Sequence, residues 1–433
     1  MTEPSIYAVL GKPILHSLSP AMFNAAFRER NIPAIYTRLT AMTVRRALQA
    51  TREIGIAGLN VTAPFKEETA ALADSLDESA SSLGALNTLV LCDGNANGYN
   101  TDPQGVAGAL SAAGFAVAGK NVVIVGAGGA ARAAATALHS MNAKRITIAN
   151  RTLFRARQVA ALVGGEAIGL NDLPARLDEA QLLISCLPVG AQIPVIKLPQ
   201  SITVLDADYA GGVFRSLAER DGCRIIEGSS WLLHQALASY RLFTGSEPPI
   251  VTMRNALAAK PDPKRSIALI GFMGSGKSSV GVALAEALNK EFVDLDQAIE
   301  EEAGRTIAQM FAEENEAGFR RREKAMLIGL DWTKMPLVAC GGGVVEDEDN
   351  IRLLHEKATV IWLWASAATC FARTKGDKRP LRQADDLPAF ANLLHRRIAK
   401  YARTADLTVV TEEESIDTIV RLIVDEVHQT KHD

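Results

Sequence analysis

The sequence predicts an α/β protein built on parallel sheets, and three observations lead to this prediction. Short apolar runs such as IYAVLG and ALNTLVL alternate with helical stretches rich in Ala, Glu and Arg. Two further runs, VVIV and SIALI, break into glycine-rich turns, each of which opens a helix. At 433 residues the chain is long enough for about three domains of ~150 residues each.

Composition narrows the class of protein. The chain is 48% apolar and 22% charged with a formal net charge of −3, which argues against a general nucleic-acid binder. Its five cysteines are scattered without a C-x-x-C pair, which argues against a disulfide framework and fits a reducing compartment. The first residues lack a secretory pattern, and no apolar stretch approaches the ~20 residues of a membrane helix. We expect a cytoplasmic protein without a membrane or nucleic-acid partner.

The chain divides into sections by its turns and prolines. We expect a first domain over residues 1–105, completed by about 235–258, and a doubly wound dinucleotide-binding (Rossmann) domain over 106–234. The segment 259–265 contains two prolines among charged residues and is the predicted linker. Residues 266–433 form the last α/β domain.

The glycine turn after VVIV suits a dinucleotide. Small residues there let backbone amides approach a pyrophosphate at a helix N-terminus; they are Gly126, Ala127, Gly128, Gly129 and Ala130. The next predicted strand ends without the acid that usually holds the ribose of NAD, and instead leads into Asn150, Arg151, Thr152 and Arg155. Guanidinium groups favour a 2′-phosphate, so we predict NADP(H). Glycines that serve only helix packing are the alternative.

Four polar clusters precede this turn, each at the end of a strand-like run. Their hydroxyls, amides, lysine and aspartate would suit a polyhydroxylated acid; they include Ser17, Ser19, Asn60, Thr62, Lys66, Asn87 and Asp102. Loop and cap residues of ordinary composition are the alternative interpretation.

Together with the glycine turn and Asn150-Arg151-Thr152, these clusters resemble shikimate dehydrogenase over residues 1 to about 258. The resemblance implies a shikimate site of Ser17, Ser19, Asn60, Thr62, Lys66, Asn87, Asp102, Tyr209 and Gln235, with Lys66 and Asp102 as the catalytic pair. It also implies a cofactor contact at Gly228. Two segments depart from the family, namely Ser185-Cys-Leu-Pro188 and Trp231, which replaces a smaller residue expected near the nicotinamide.

The turn after SIALI matches G-x-x-x-x-G-K-[ST], the phosphate-binding P-loop. Its amides and side chains would cradle ATP through Gly274, Ser275, Gly276, Lys277, Ser278 and Ser279. Lys277 would act catalytically on the β- and γ-phosphates, and Ser278 with Asp294 would hold Mg²⁺.

Residues 266–433 resemble shikimate kinase through Asp294-Leu-Asp296, Phe319-Arg320, Gly341-Gly342-Gly343 and Arg379-Pro-Leu. The resemblance implies shikimate contacts from Asp296, Arg320, Gly342 and Arg397, with Asp296 as the base, and an ATP contact from Arg379 on a lid around 374–388. Arg396 and Arg403 are rivals to Arg397, because Ala399-Lys400-Tyr401 departs from the family. Ser279 and Asn315-Glu316 depart from the family as well. Of the three arginines Arg320, Arg321 and Arg322, we expect one or two on an exposed helix face.

The two resemblances imply consecutive reactions of one pathway: NADPH-dependent reduction of 3-dehydroshikimate to shikimate, then MgATP-dependent phosphorylation to shikimate 3-phosphate. The partners would be these small molecules, and a homodimer is one option for assembly. Two alternatives stay open at this point. The chain could be a non-catalytic metabolite sensor derived from these enzymes, or its first half could act on quinate as well as shikimate.

Overall fold

The computed structural model describes residues 3–188, 190–207, 212–258, 266–375 and 386–429. Two compact units emerge, one of Met1–Phe65 with Ala258–Asp433 and the other of Lys66–Leu257. The α/β class predicted from the sequence is confirmed. The domain boundaries at 105 and 234 stay predictions, and the predicted linker 259–265 lies outside the described residues.

The first 65 residues alternate strands and helices: β1 (Ser5–Leu10), α1 (Ser19–Glu29), β2 (Ala34–Thr40), α2 (Val44–Ile54) and β3 (Ile56–Val61). Strand β1 pairs in parallel with both β2 and β3. Helix α2 shows why the segment folds locally: Thr43 caps its start by accepting from the Arg46 amide, and Gly55 ends it in the left-handed region at φ 77°.

The second unit begins with short elements that carry several predicted site residues: α3 (Lys66–Leu72), β4 (Ser75–Leu76), α4 (Glu78–Leu83), β5 (Thr88–Cys92), β6 (Asn95–Tyr99) and α5 (Asp102–Ala112). The dinucleotide-type part follows with β7 (Asn121–Val125), α6 (Gly129–Ser140), β8 (Arg145–Ala149), α7 (Leu153–Ala161), β9 (Glu166–Ile168), α8 (Leu173–Leu177), β10 (Leu182–Ser185), β11 (Thr203–Asp206), α9 (Val213–Asp221), β12 (Arg224–Ile226), α10 (Gly228–Thr244) and α11 (Ile250–Ala258).

This second part is a parallel sheet of order β12-β11-β10-β7-β8-β9. Alternate residues of β7 enter different apolar cores, Val122 and Ile124 on one face and Val123 and Val125 on the other. The strand is therefore buried on both sides, as its uninterrupted β-branched run predicts.

The C-terminal part of the first unit is a P-loop fold: β13 (Ser266–Ile270), α12 (Lys277–Leu288), β14 (Phe292–Asp294), α13 (Leu295–Ala303), α14 (Ile307–Gly329), β15 (Leu337–Ala339), α15 (Glu348–Lys357), β16 (Ala358–Trp364), α16 (Ala367–Arg373), α17 (Leu387–Thr404), β17 (Leu407–Val410) and α18 (Ile416–Gln429). Helix α14 is kinked at Asn315, whose φ of 61° and ψ of −179° are not helical.

The strands of this first unit form one parallel sheet of order β14-β15-β13-β16-β17-β2-β1-β3. The join is the pairing of β17 with β2, in which Thr408 lies opposite Leu39 and Val409 opposite Thr40. Strands from the two ends of the chain thus share one sheet. Within the described ranges, no helix has the length and apolar character needed to cross a membrane.

Candidate active sites

The serine turn, residues 14–19, follows β1 in the first unit. Ser17 and Ser19 are both nearly buried, and the Ser17 hydroxyl donates to Ser19 Oγ at 3.3 Å. At the end of β3, Asn60 Oδ1 accepts from the Tyr36 hydroxyl at 2.6 Å, and Thr62 lies just beyond, partly buried. The structure thus holds these predicted substrate contacts at the carboxyl ends of neighbouring parallel strands.

Lys66 and Asp102 form a close ion pair in the second unit, with Lys66 Nζ 2.5 Å from Asp102 Oδ2. The other carboxylate oxygen accepts from Asn87 Nδ2 at 2.9 Å, and the same amide donates to Gln235 Oε1 at 2.8 Å. Four of the predicted site residues therefore form one hydrogen-bonded network. Asp102 and Asn87 are buried, whereas about a fifth of the Lys66 side chain stays exposed.

Gln235 reaches this network because helices α5 and α10 approach closely. A Cβ on Gly105 would lie 2.6 Å from Trp231 Cδ1 and 2.9 Å from Gln235 Cβ, closer than real side-chain contacts allow. Trp231, the departure noted in the sequence, is only 6% exposed and packs in the apolar core against this glycine. The large indole is therefore accommodated by the absence of a side chain at position 105.

The glycine turn follows β7 and lies beside the lysine. Gly126 has φ 115°, and a Cβ there would lie 2.8 Å from the Cys186 carbonyl oxygen, so this turn requires glycine. A Cβ on Gly129, the first residue of α6, would lie 3.9 Å from Lys66 Cδ. Burial raises the pKa of the Cys186 thiol, the charges of Asp206 and Asp102 add to this, and that of Lys66 opposes it. Cys186, in the departing segment, thus lies against the glycine turn and within electrostatic range of the ion pair.

The remaining residues predicted for the cofactor lie around this turn. Arg151, Thr152 and Arg155 are exposed beyond the end of β8, and Asn150 Nδ2 donates to the Thr152 carbonyl at 3.0 Å. Gly228 is buried at the start of α10. Tyr209 lies outside the described residues. Exposed guanidinium groups at this strand end fit a bound 2′-phosphate.

The P-loop follows β13 and opens α12 at Lys277, whose Nζ donates to the carbonyls of Gly271 at 2.9 Å and Phe272 at 3.1 Å. The Ser278 hydroxyl donates to Asp294 Oδ2 at 2.5 Å. One hydroxyl and one carboxylate, completed by phosphate oxygens and water, make a donor set that suits Mg²⁺. Ser275 is buried and Ser279 is exposed. Among the described residues there is no cluster of three or more His, Cys, Asp or Glu side chains that could hold a metal.

Asp294 also caps helix α13, and its Oδ1 accepts from the Asp296 amide at 3.1 Å. The Asp296 carboxylate reaches the glycine tract after β15, where a Cβ on Gly341 would lie 2.8 Å from its Oδ1. The side chain of Arg320 crosses Gly343 and pairs with Glu323 at 2.8 Å. The glycine tract is therefore covered by the two charged groups predicted to bind substrate.

Arg397 is 3% exposed, and its guanidinium donates to Glu346 Oε1 at 2.8 Å and to the Gly342 carbonyl at 3.4 Å. Its rivals differ, since Arg396 is exposed and Arg403 pairs with Glu348. The geometry thus favours Arg397. Arg379 and most of the predicted lid fall at residues 376–385, outside the described part of the chain. Arg321 is exposed and Arg322 pairs with Glu314, as expected for a solvated face.

Two supporting residues were not assigned a role from the sequence. Tyr36 is buried on β2 and holds Asn60, but its contact joins positions that no local pattern links. Glu323 is fully buried beside Arg320. Burial raises the pKa of Glu323, the pairing with Arg320 opposes this shift, and neighbouring Asp296 adds to it. The spacing of Arg320 and Glu323, three residues apart on a helix, is the signal that could have identified the pair.

Two nucleotide-type turns on parallel sheets, each beside acid–base groups, define the class as a nucleotide-dependent α/β enzyme. Family models then match four segments. They are a shikimate dehydrogenase substrate-binding domain at 9–89, a shikimate/quinate 5-dehydrogenase domain at 109–205, a shikimate 5′-dehydrogenase C-terminal domain at 232–258 and shikimate kinase at 273–428. The chain belongs to the shikimate dehydrogenase family and continues into a shikimate kinase domain, so both predicted resemblances are confirmed.

Individual relatives match the dehydrogenase part. Shikimate dehydrogenase (NADP(+)) of Halobacterium salinarum is 39% identical over 265 residues, which covers 59% of this chain and 99% of the relative. A Thermus thermophilus shikimate 5-dehydrogenase solved with NADP(H) and shikimate is 31% identical, with a TM-score of 0.54, and covers 59% of this chain and 98% of that one. Quinate dehydrogenase from Corynebacterium glutamicum, solved with NAD, is 26% identical with a TM-score of 0.54, covering 59% and 99%.

Proposed function

We propose that the chain is a bifunctional enzyme that reduces 3-dehydroshikimate to shikimate with NADPH and then phosphorylates the 3-hydroxyl of shikimate with MgATP. The observation that carries the proposal is that each nucleotide-type turn has its acid–base group beside it. Lys66 packs near Gly129 and pairs with Asp102. Asp296 lies two residues after Asp294, which accepts from the P-loop's Ser278 hydroxyl and from the Asp296 amide.

In the dehydrogenase reaction, NADPH when bound supplies the hydride. The chain's own contribution is the proton and its placement. Reduction of the ketone leaves negative charge on oxygen, which the Lys66 ammonium stabilises and protonates. Asp102 holds that ammonium at 2.5 Å, and Asn87 holds Asp102 at 2.9 Å, so Lys66 Nζ is fixed before substrate arrives. Ser17, Ser19, Asn60, Thr62 and Gln235 provide hydrogen-bond partners for the carboxylate and hydroxyls.

In the kinase reaction, ATP supplies the phosphoryl group. Lys277 neutralises charge on the β- and γ-phosphates, and Asp296 takes the proton of the attacking hydroxyl. Ser278 and Asp294 would hold the magnesium, which would offset further phosphate charge. Arg320 and Arg397 suit the substrate carboxylate, since a guanidinium binds a carboxylate in two places. Both arginines are already held by carboxylates, Glu323 and Glu346, which fixes their planes.

The NADP preference rests on the exposed guanidinium groups of Arg151 and Arg155 and on the NADP named for the relatives. The non-catalytic alternative gains no support, because the described catalytic groups lie within reach of one another. Likeness to a quinate dehydrogenase keeps that substrate as a second candidate, to be judged by the ratio of kcat/KM for shikimate and quinate. A cytoplasmic location and a homodimer stay predictions.

A coupled assay tests the proposal: 3-dehydroshikimate and NADPH, with and without MgATP, followed by NADPH absorbance and ADP release. Wild-type protein should oxidise NADPH in both cases and release ADP only when ATP is present. Asp296→Ala should abolish ADP release and spare NADPH oxidation, whereas exposed Asp349→Ala, at the start of α15, should change neither. Absence of NADPH oxidation by the wild-type chain would refute the dehydrogenase assignment.

A further inference from the structure

The P-loop part of the chain contacts the serine turn of the dehydrogenase part through one buried and one partly buried side chain. These contacts belong to one compact unit, which joins residues 1–65 to residues 258–433. From them we infer that Glu426 and Arg38 are positioning residues for the dehydrogenase substrate site, so that the kinase part of the chain helps to bind the dehydrogenase's substrate. The inference rests on the proposed role of Ser17 and Ser19 in holding that substrate.

Glu426 lies on α18, the last helix described, and its side chain is fully buried. Its Oε2 accepts from the backbone amides of Ile14 at 2.7 Å and Leu15 at 2.8 Å. A buried carboxylate is costly unless hydrogen bonds compensate it, and here the serine turn supplies the two donors. Displacement of residues 14 and 15 would leave this carboxylate without them, so Glu426 restrains the start of the turn.

The serine turn transmits this restraint to its hydroxyls. The Ser17 amide donates to the Ile14 carbonyl at 2.9 Å, which closes residues 14 to 17 into a turn that contains the two residues held by Glu426. The Ser19 amide in turn donates to Ser17 Oγ at 3.3 Å. The positions of both serine hydroxyls therefore depend on where residue 14 is anchored.

Arg38 anchors the other end of the same turn. From β2, its Nε and Nη2 donate to the Ser17 carbonyl at 3.1 and 2.7 Å, while Nη1 donates to the Asp406 carbonyl at 2.9 Å. Asp406 immediately precedes β17, the strand that pairs with β2. One planar guanidinium thus ties the serine turn to the backbone of the kinase part, a geometry that a lysine cannot reproduce.

The rim of the same contact, formed by Arg46, Glu413 and Glu414, is more exposed to solvent than Glu426. Arg46 pairs with Glu413 at 2.6 Å and with Glu414 at 3.3 Å, and three quarters of the Glu413 side chain is exposed. Solvent-exposed pairs of this kind contribute little. The restraint on the serine turn is therefore assigned to the buried Glu426 and the partly buried Arg38, and the rim provides a control.

The test measures shikimate oxidation by NADP⁺ in full-length variants. Glu426→Leu leaves the two backbone amides unpaired, and we expect the KM for shikimate to rise about tenfold, with the KM for NADP⁺ nearly constant. Glu426→Gln keeps an oxygen that can accept both amides and should restore most of the affinity. Two variants serve as controls and should leave the KM for shikimate unchanged. Asp425→Leu makes a similar substitution at the exposed residue before Glu426, and Glu413→Gln changes the rim.

Arg38→Lys provides a second, independent variant, so the inference remains falsifiable if Glu426→Leu does not fold. It should also raise the KM for shikimate while the kinase reaction of the same preparation keeps its kcat and KM. Ser17→Ala separates the two levels of the argument. If Ser17→Ala raises the KM and neither Arg38→Lys nor Glu426→Leu does, the positioning role is wrong and the proposed site stands.

If Ser17→Ala and Ser19→Ala both leave the KM for shikimate unchanged, the proposed site itself fails, and the positioning role fails with it. If the Glu426→Leu and Arg38→Lys variants impair kcat and KM of both reactions equally and lower the Tm, the role of these residues is merely structural. That result would also overturn the inference. Restoration by Glu426→Gln together with an unchanged KM for NADP⁺ supports it.

Discussion

At the scale of single residues, the sequence predicted which residues belong to a site better than it predicted which residues contact one another. Lys66, Asp102, Asn87 and Gln235 were each expected at the dehydrogenase site, and the structure joins them through contacts of 2.5 to 2.9 Å. The resemblance could name these residues because each lies in a local motif. Glu426 lies in no motif, and its partners at residues 14 and 15 are about 410 residues distant in the chain, so no local pattern could identify it.

Lys66→Ala should slow hydride transfer by about 10²–10⁴-fold, because positioned proton transfer typically contributes that much. The affinity for NADPH should stay nearly unchanged, since Lys66 reaches the glycine turn only through its aliphatic part. Stopped-flow NADPH absorbance measures the rate and NADPH fluorescence the affinity. Lys144→Ala, which removes an exposed lysine of the same unit, is the control. Near-normal turnover in Lys66→Ala would remove Lys66 from the mechanism.

Glu346 gives a pH-dependent prediction. Burial raises the pKa of Glu346, but hydrogen bonds from Lys400 and Arg397 outweigh this, so its pKa lies below the ordinary 4.5. A carboxyl with a depressed folded pKa contributes stability above its unfolded pKa and loses it as the pH falls through the folded value. Glu346→Gln should therefore cost about 1 kcal/mol at pH 7 and progressively less below pH ~4.5.

Urea unfolding at pH 7 and at pH 4 measures the loss of unfolding free energy in Glu346→Gln. The control is Glu356→Gln, which changes an exposed carboxylate on α15. A cost at pH 4 equal to that at pH 7 would contradict the assigned pKa direction.

At the scale of elements, both glycine turns follow the strands that the sequence predicted. A β-branched run, a glycine and a helix former are consecutive in the chain, so the pattern is visible without tertiary information. The kink in α14 is less visible, because the positive φ of 61° at Asn315 is rare for a residue other than glycine, and only a local cap, from the Gly318 amide to Asn315 Oδ1 at 3.2 Å, accompanies it. Trp231 is similar, since its place beside Gly105 depends on the packing of α5 against α10.

Gly105→Ala should force α5 and α10 apart, because the new Cβ would lie 2.6 Å from Trp231 Cδ1. Overpacking of this kind costs about 1–3 kcal/mol of unfolding free energy. Moving Gln235 away from Asn87 should also raise the KM for shikimate. Thermal unfolding and dehydrogenase kinetics check the two effects, with Gly169→Ala as the control, because position 169 has open space and a φ of −77°. An unchanged Tm would show that the helices can separate freely.

At the scale of the whole molecule, the sequence predicted the succession of domains but not the sheet that joins β2 to β17. An apolar strand carries the information that it is buried and little about which strand lies beside it. Two polar residues, of types that composition places on a surface, also bridge the two parts of the chain: Arg38 donates to the Asp406 carbonyl, and Glu426 accepts from the Ile14 amide.

MgADP should protect amides of β2 from hydrogen exchange as well as those of β13, because both strands belong to one sheet. A ligand at a concentration a hundredfold above its Kd stabilises the folded state by about 2.7 kcal/mol. Every segment that unfolds together with the binding site gains this protection. Exchange followed by mass spectrometry measures this, with peptides of β7 as the internal reference. Protection confined to residues 266–429 would show that the two parts of the sheet open independently.

The contact between β2 and the segment before β17 also has a consequence during synthesis. The Arg38 guanidinium and the Asp406 carbonyl are separated by 368 positions. At a translation rate of about 5 to 20 residues per second, the N-terminal strand waits roughly 20 to 70 s on the ribosome before its neighbour exists. During that interval the backbone donors and acceptors of β2 that later pair with β17 are open to chaperones and to other nascent chains.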